Sequence, residues 1–208
     1  EIVDLLQEFK AQPATLLLPK MPEGSFAKKL FSLYLTYLPA DKFKYALKMN
    51  VDDRGMPVAE LRASGADVVH LSPSHHFPTG VVMPIGRRQE LLAWAGEAKG
   101  RYIIEDDYDS EFRFTGRPLP TLQSIDAGGR VIYTNTFSKS LAPSIRISYM
   151  VLPESLLEVY RRDCSFYSCT VSRIDQRILN EFIRDGYFER HLNKMRMHYR
   201  AKHDLLLA

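Results

Sequence analysis

Three short stretches of this sequence gather side chains that can do chemistry. Ser74, His75 and His76 sit in the breaker-rich segment Ser72–Gly80. Asp106 and Tyr108 sit in Glu105-Asp106-Asp107-Tyr108-Asp109, and Thr136, Ser138 and Lys139 in Thr134–Lys139, with Arg146 seven residues beyond the lysine. A lysine amine can form a Schiff base with a carbonyl. A carboxylate stabilises a nearby cation and raises its pKa. A phenol donates to an oxygen anion, and hydroxyls with a bidentate arginine suit a phosphate. One small molecule uses all of these groups: pyridoxal 5′-phosphate (PLP). Its aldehyde, pyridine nitrogen, phenolic oxygen and phosphate ask for the lysine, the aspartate, the tyrosine and the hydroxyl–arginine set in turn.

The elements around these stretches place them together. Val68–Leu71 is a β-branched run read as a strand, and it leads into Ser72–Gly80. Pro84 suits the first turn of a helix; Leu91, Leu92 and Ala95 give that helix an apolar stripe, and Gly100 a stop. Tyr102–Ile104 reads as a second strand, ending in the acidic stretch, and Val131–Tyr133 as a third, ending at Thr134–Lys139. Ile147–Leu152 is a fourth. A short helix, Val58–Ala63, precedes the first strand, after a strand end and turn at Val51–Gly55. Alternating strands and helices with near-continuous apolar strands predict an α/β fold with a mostly parallel, buried sheet. Ligands in such sheets bind beyond the carboxyl ends of the strands, which is where all three stretches fall. After Pro153 the pattern turns helical: Glu154–Arg162, Ser172–Arg184, and Tyr187 to the end. The last of these is read as an amphipathic packed helix with its basic groups in solvent.

Composition narrows the function classes. The chain has 208 residues, 45% hydrophobic and 25% charged, so neither a mainly disordered chain nor a collagen-like one fits. A net charge of +3 does not by itself argue for nucleic acid. No apolar run approaches the ~18 residues of a membrane span, and Glu1–Lys10 is acidic and amphipathic, unlike a signal peptide. The cytoplasm is the expected setting. Cys164 and Cys169 are too few for a disulfide framework or a structural zinc site and read as small buried side chains. His75 and His76, adjacent in an extended segment, point apart and lack a third ligand, so no metal is expected. The acidic stretch also reads as a solvated loop or a hard-cation site, and Arg146 as a structural partner of one of its acids. The first fifty residues carry helical spacing at Ile2–Phe9, Pro/Gly breaks, and an apolar aromatic run at Phe26–Leu38.

Ser72–Gly80 (SPSHHFPTG), Ile103–Phe114 (IIEDDYDSEFRF) and Thr136–Leu152 (TFSKSLAPSIRISYMVL) closely resemble the aminotransferase-like domain of MocR/GabR-type bacterial transcription regulators, a relative of fold-type I, PLP-dependent aminotransferases. Phe166–Ser172 and Gly186–Leu192 resemble the same family. The resemblance implies a fold-type I aminotransferase-like large domain. By position, Lys139 matches the Schiff-base lysine, Asp106 the partner of the pyridine nitrogen, Tyr108 the partner of the phenolic oxygen, and Arg146 the phosphate-binding arginine. Thr136 and Ser138 match the phosphate-side hydroxyls. His76 stands where a glutamine is usual and Phe77 where true aminotransferases place an asparagine. Asn135 and Ser148 stand where glycines are commoner.

The function implied is an effector-sensing domain: PLP held as an internal aldimine on Lys139, which an amino-bearing effector displaces as an external aldimine. A second implied reading is a PLP-dependent aminotransferase acting on an amino acid or related amine, with Lys139 also moving a proton. A third is a structural remnant that keeps the fold and not the cofactor. The family also implies a homodimer, and DNA contact through a winged-helix domain not found in this sequence. The expected organisation is an unassigned helical segment at 1–50, a PLP-binding core at 51–162, and a helical segment at 163–208. Against the family the chain reads as incomplete, its phosphate loop expected before Val51 and its terminal subdomain after Ala208.

Overall fold

The computed structural model describes residues 49–112, 119–164, 166 and 168–207. The readings at Ile2–Phe9 and Phe26–Leu38, and the Arg113-Phe114 end of the second motif, lie outside the described residues. Helix α1 (Val58–Ser64) stops at Gly65, whose φ of 71° is a left-handed cap that a Cβ would disfavour. Strand β1 (Val68–Leu71), helix α2 (Ile85–Gly96) and strand β2 (Tyr102–Asp106) follow. Strand β3 (Val131–Thr136) runs directly into a four-residue helix α3 (Phe137–Ser140), and β4 (Ser148–Val151) comes next. Helices α4 (Glu154–Asp163), α5 (Arg173–Arg184) and α6 (Tyr187–Leu207) complete the order.

The strands form one sheet in the order β1-β2-β3-β4. The first three are parallel and β4 is antiparallel, as a mostly parallel α/β sheet requires. Register puts Val69 opposite Ile103 and Ile103 opposite Val131. These three are buried in one cluster with Leu61 of α1, Leu91, Trp94 and Ala95 of α2, and Leu122. Side chains alternate across a strand, so Ile104 and Ile132 share the other face, and both are only half-buried. The expectation of strands buried on both faces is therefore corrected. Among the described residues, α1 and α2 cover one face of the sheet, and burial along β2 alternates.

Two buried charges tie the loops to this core. Arg88 is fully buried in α2 and donates to the carbonyls of Met83, Pro73 and Pro120 at 3.0, 2.9 and 2.9 Å. Glu105 is fully buried on the covered face. Its carboxylate accepts from the backbone N–H groups of Leu122 and Gln123 at 2.8 and 2.9 Å, with an Arg88 Nη1 at 3.9 Å. Burial pushes the Glu105 carboxyl above the usual carboxylate range, opposed by those N–H donors and by Arg88. Together the pair fixes where the β1–α2 loop and the 119–125 segment sit relative to the carboxyl end of β2.

Candidate functional site

The half-open face of the sheet carries the site chemistry. His70, Ile104 and Asp106 share it by parity, since His70 pairs with Ile104 and Asp106 lies two residues on. Thr134 pairs with Asp106, and Thr136 follows two residues later on the same face. The side chains at the carboxyl ends of β2 and β3 therefore project to one side, away from the α1–α2 layer.

Asp106 is the last residue of β2. Burial pushes its carboxyl above the ordinary aspartate value; the opposing charge of His70 and a hydrogen bond from Thr134 pull it down, and Asp107 and Asp109 add to the rise. The His70 Nε2 lies 3.7 Å from Asp106 Oδ2. His70 was not singled out from the sequence. Its signal is strand parity: a histidine one residue before the end of β1, on the neighbouring strand and the same face as Asp106.

Tyr108 lies in the loop after β2. Its hydroxyl donates to the His75 carbonyl at 2.8 Å, and the two rings stack with centroids 6.3 Å apart. Burial, then Asp109 and Asp106, raise the phenol pKa, so Tyr108 stays a neutral donor. The ring of His75 is held by Asp109, Nδ1 to Oδ2 at 2.7 Å, and His76 by the Thr79 hydroxyl at 2.8 Å. Among the described residues no group of three His, Cys, Asp or Glu is arranged to hold a metal ion.

The acidic stretch is not a solvated loop. Glu105 and Asp107 are buried. Asp107 Oδ2 accepts from the Tyr133 hydroxyl at 2.9 Å and the Ser110 hydroxyl at 2.8 Å. Asn135 donates to the Tyr133 oxygen at 2.9 Å and to Glu111 at 3.3 Å. Burial drives the Tyr133 phenol far above its ordinary value, so it remains a proton donor to Asp107. Alternate acids in the stretch thus have different work: Glu105 holds the backbone of Leu122 and Gln123, Asp107 holds the hydroxyls of Tyr133 and Ser110, and Asp106 faces the open side.

Thr136, Ser138, Lys139 and Arg146 form one local unit. Thr136 caps α3, its Oγ1 accepting from Ser138 N at 3.2 Å and donating to the Ile147 carbonyl at 3.3 Å. Ser138 donates its hydroxyl to the Ile145 carbonyl at 2.7 Å. Those bonds close the loop between α3 and β4 at its base and bring Arg146 Nη1 to 3.3 Å from Ser138 Oγ. Arg146 therefore meets a hydroxyl of the site, not an acid of the β2 loop. Lys139 is exposed in α3, and among the described residues its amine has no hydrogen-bond or ion-pair partner. It lines a cleft of about 910 Å³ that also takes in Ser74, His75, Asp109, Tyr199 and Lys202.

This donor set fits PLP. A primary amine opens onto a cleft, a carboxylate and a neutral phenol stand at the end of the adjacent parallel strand, and a serine–arginine pair follows at the base of the α3–β4 loop; Asp106, Tyr108, Thr136, Ser138 and Arg146 are not part of that cleft's lining, and Arg146 lines a second cavity with Leu141 and Ser144. Two smaller expectations are corrected. Cys169 is exposed and Cys164 half-buried, because both fall at or beyond the C-terminal end of α4, which buries none of its residues. Helix α6 buries Leu192, but Leu205 and Leu206 are 79% and 85% exposed.

Comparison with known proteins bears on the family and the fold. The family described as aminotransferase class I and II matches residues 48–208. The HTH-type transcriptional regulator YdeL of Bacillus subtilis (strain 168) is 47% identical over 176 residues, covering 82% of this chain and 38% of its own length. The probable rhizopine catabolism regulatory protein MocR of Rhizobium meliloti is 41% identical over 141 residues, covering 68% of this chain and 28% of its own. This chain spans about two fifths or less of the length of these relatives. Among solved structures, the kynurenine aminotransferase of Pyrococcus horikoshii is 32% identical with a TM-score of 0.68, over 77% of this chain and 42% of that one. The resemblance to MocR-type regulators and to the fold-type I aminotransferase architecture is borne out, over part of that domain.

Proposed function

The chain belongs to the aminotransferase class I and II family, and we propose that within it the chain is the PLP-holding core of an effector-sensing domain of a MocR-type transcription regulator. One observation carries this reading: Lys139 and the Ser138–Arg146 contact follow β3, while Asp106 and Tyr108 end β2, its parallel neighbour. Lys139 would hold the cofactor through its amine, Asp106 the pyridine nitrogen, and Tyr108 the phenolic oxygen. Thr136, Ser138 and Arg146 would take the phosphate. PLP, when bound, supplies an electrophilic carbon and an electron sink for amines.

The residues around it have separate tasks. The carboxylate of Asp106 keeps the ring nitrogen protonated, and His70 beside it favours that carboxylate. Tyr108 exchanges its bond to the His75 carbonyl for one to the cofactor, which links cofactor binding to the Ser72–Gly80 loop. An amine-bearing effector would compete with Lys139 for the cofactor's carbonyl carbon, and the lysine amine would then be released. A difference in contacts between the two states is what a sensor needs to shift a domain or dimer equilibrium. DNA contact and dimerisation belong to this reading of the whole regulator, with DNA engaged through a winged-helix domain.

The sequence and fold likeness to kynurenine aminotransferase, solved with PMP and kynurenine, favours a second reading, a working aminotransferase. Phe77, 81% exposed in the loop beside Tyr108's partner His75, counts against it, since a ring-positioning amide is expected at that place in true aminotransferases. The test is loading with PLP followed by borohydride. A visible absorbance that borohydride bleaches, with the label on the Lys139 peptide and absent in Lys139→Ala, supports the site. A folded chain that takes no label on Lys139 overturns it. Sustained turnover of an amino acid and a keto acid by the full-length protein would favour the enzyme over the sensor.

A further inference from the structure

His75 meets the site through three separate contacts, and the cofactor chemistry above uses only one of them. Its backbone carbonyl accepts from the Tyr108 hydroxyl, its ring stacks on the Tyr108 ring, and its Nδ1 lies 2.7 Å from Asp109 Oδ2. The loop that carries it is tied on both sides. The Pro73 carbonyl accepts from Arg88 and from the Met83 N–H, each at 2.9 Å, and His76 N donates to the Val81 carbonyl at 2.9 Å. The ring is therefore aimed by a fixed backbone and a carboxylate. It lines the Lys139 cleft together with Asp109, with about half of its side chain open.

The aspartate on Nδ1 fixes the tautomer. A carboxylate only accepts, so a neutral imidazole keeps its proton on Nδ1 and its lone pair on Nε2. Among the described residues Nε2 has no hydrogen-bond partner. A free imidazole nitrogen backed by a carboxylate is a proton acceptor of the general-base kind. In this cleft it sits with a lysine whose exchange for an incoming amine has a proton to move. The ligand arrives as an ammonium ion, which has no lone pair to attack with. Its nitrogen gains the bond to the carbonyl carbon that the Lys139 nitrogen gives up, and its three protons finish on Lys139. We propose that the His75–Asp109 pair is the proton carrier of that exchange: Nε2 takes the first proton from the incoming ammonium and returns it to the departing lysine amine. Position supports this. Tyr108, on which the His75 ring stacks, would hold the phenolic oxygen, and that oxygen is ortho to the carbonyl carbon of PLP. The cleft's other lining histidine, His203, has its carboxylate contact with its own neighbour Asp204, at 3.2 Å on α6. The inference rests on the Lys139 reading for the reaction, and on the His75–Asp109 geometry for the base.

The experiment mixes the PLP-loaded 208-residue chain with ethylamine in a stopped-flow spectrometer and follows visible absorbance. His75→Ala keeps the carbonyl that Tyr108 uses and removes the base. It should slow the exchange about a hundredfold, the usual contribution of a positioned base, and added imidazole should restore about tenfold or more. Asp109→Asn should slow it about tenfold, since the tautomer is no longer set. His203→Ala should leave the rate unchanged. Borohydride labelling of Lys139 checks that each chain carries PLP, and circular dichroism that each is folded. An unslowed His75→Ala, a loss that imidazole does not restore, or an equal loss in His203→Ala overturns the proposal; a merely structural role gives a loss without rescue. Should PLP fail to load on the parent chain, the cofactor reading fails by itself. In that case, or if only His75→Ala fails to load, salicylaldehyde with the cofactor-free chains decides the base. That aldehyde adds only to the deprotonated Lys139 amine, and borohydride with peptide mapping reads the addition at that residue. Slower addition in His75→Ala that imidazole restores supports the proposal; equal rates, or no rescue, overturn it.

Discussion

The covered face of the sheet and the three C-terminal helices use similar apolar patterns to opposite effect. Val69, Ile103 and Val131 meet Leu91 and Trp94, and all five are 4% exposed or less. In α5, Ile174 and Ile178 fall four residues apart on one stripe and are 71% and 61% exposed. Neither α4 nor α5 buries a residue. A stripe states which side chains share a face; depth requires a second surface set against it. In the sheet that surface comes from elements next in the chain, because each parallel crossover must lay its helix back on the strands it joins. The C-terminal helices have no such obligation, and their apolar stripe is legible without any statement of what meets it.

This difference can be broken by substitution. Trp94→Ala should cost about 4 kcal/mol, as large aromatic truncations in closed cores do, while Ile178→Ala should stay within about 0.5 kcal/mol. Urea denaturation of both variants measures the ratio. Comparable losses would mean that α5 is packed in solution as deeply as α2. Arg88→Met ranks next, at about 3 kcal/mol, since it removes the donor to three loop carbonyls and leaves the Glu105 carboxyl buried without its cation. Adding Glu105→Leu to that variant should recover part of the loss, because the stranded carboxyl goes too. If the double variant is no better than Arg88→Met, the cost lies in the carbonyl contacts together with the Leu122 and Gln123 N–H groups that lose Glu105 as acceptor.

Much of this was legible in the sequence, for physical reasons that can be named. The strands at Val68–Leu71, Tyr102–Ile104 and Val131–Tyr133 announce themselves by β-branched runs closed by polar loops, and the structure extends the latter two to Asp106 and Thr136. Lys139 was read on a loop after a strand; it lies in a four-residue helix, because the Thr136 cap is too local a signal to separate turn from helix. The roles of Asp106 and Asp107 could not be told apart from composition. Strand parity assigns them to different environments, and that requires knowing that β2 ends at Asp106. Arg88 and His70 went unremarked because their partners, three carbonyls and one carboxylate, lie 5 to 36 residues away in the chain. The reading of the last helix as packed fails at Leu205 and Leu206 for the reason it would in α5: apolar spacing does not by itself state packing.

Glu105 and Asp106 place the same contrast at two successive residues, and pH separates them most finely. Burial raises both carboxyl pKa values, but Glu105 is sealed and Asp106 is 39% exposed at its side chain. A folded-state pKa above the unfolded one means that the native chain holds its proton more tightly. The associated stability is fully present below the ordinary aspartate value of about 3.9 and is lost as pH rises through the raised native value. Asp106→Asn cannot ionise and should lack that part of the acid-range slope. Solvent screening keeps the effect small, so the measurement is the difference in urea midpoint between the two chains across the acid range. The variant should gain on the parent as pH rises through that window and then hold a constant lead. A parent chain that instead gains stability on the variant over the same window would mean that His70 and Thr134 outweigh burial at Asp106. The aspartate would then be poised as an anion before any ligand arrives.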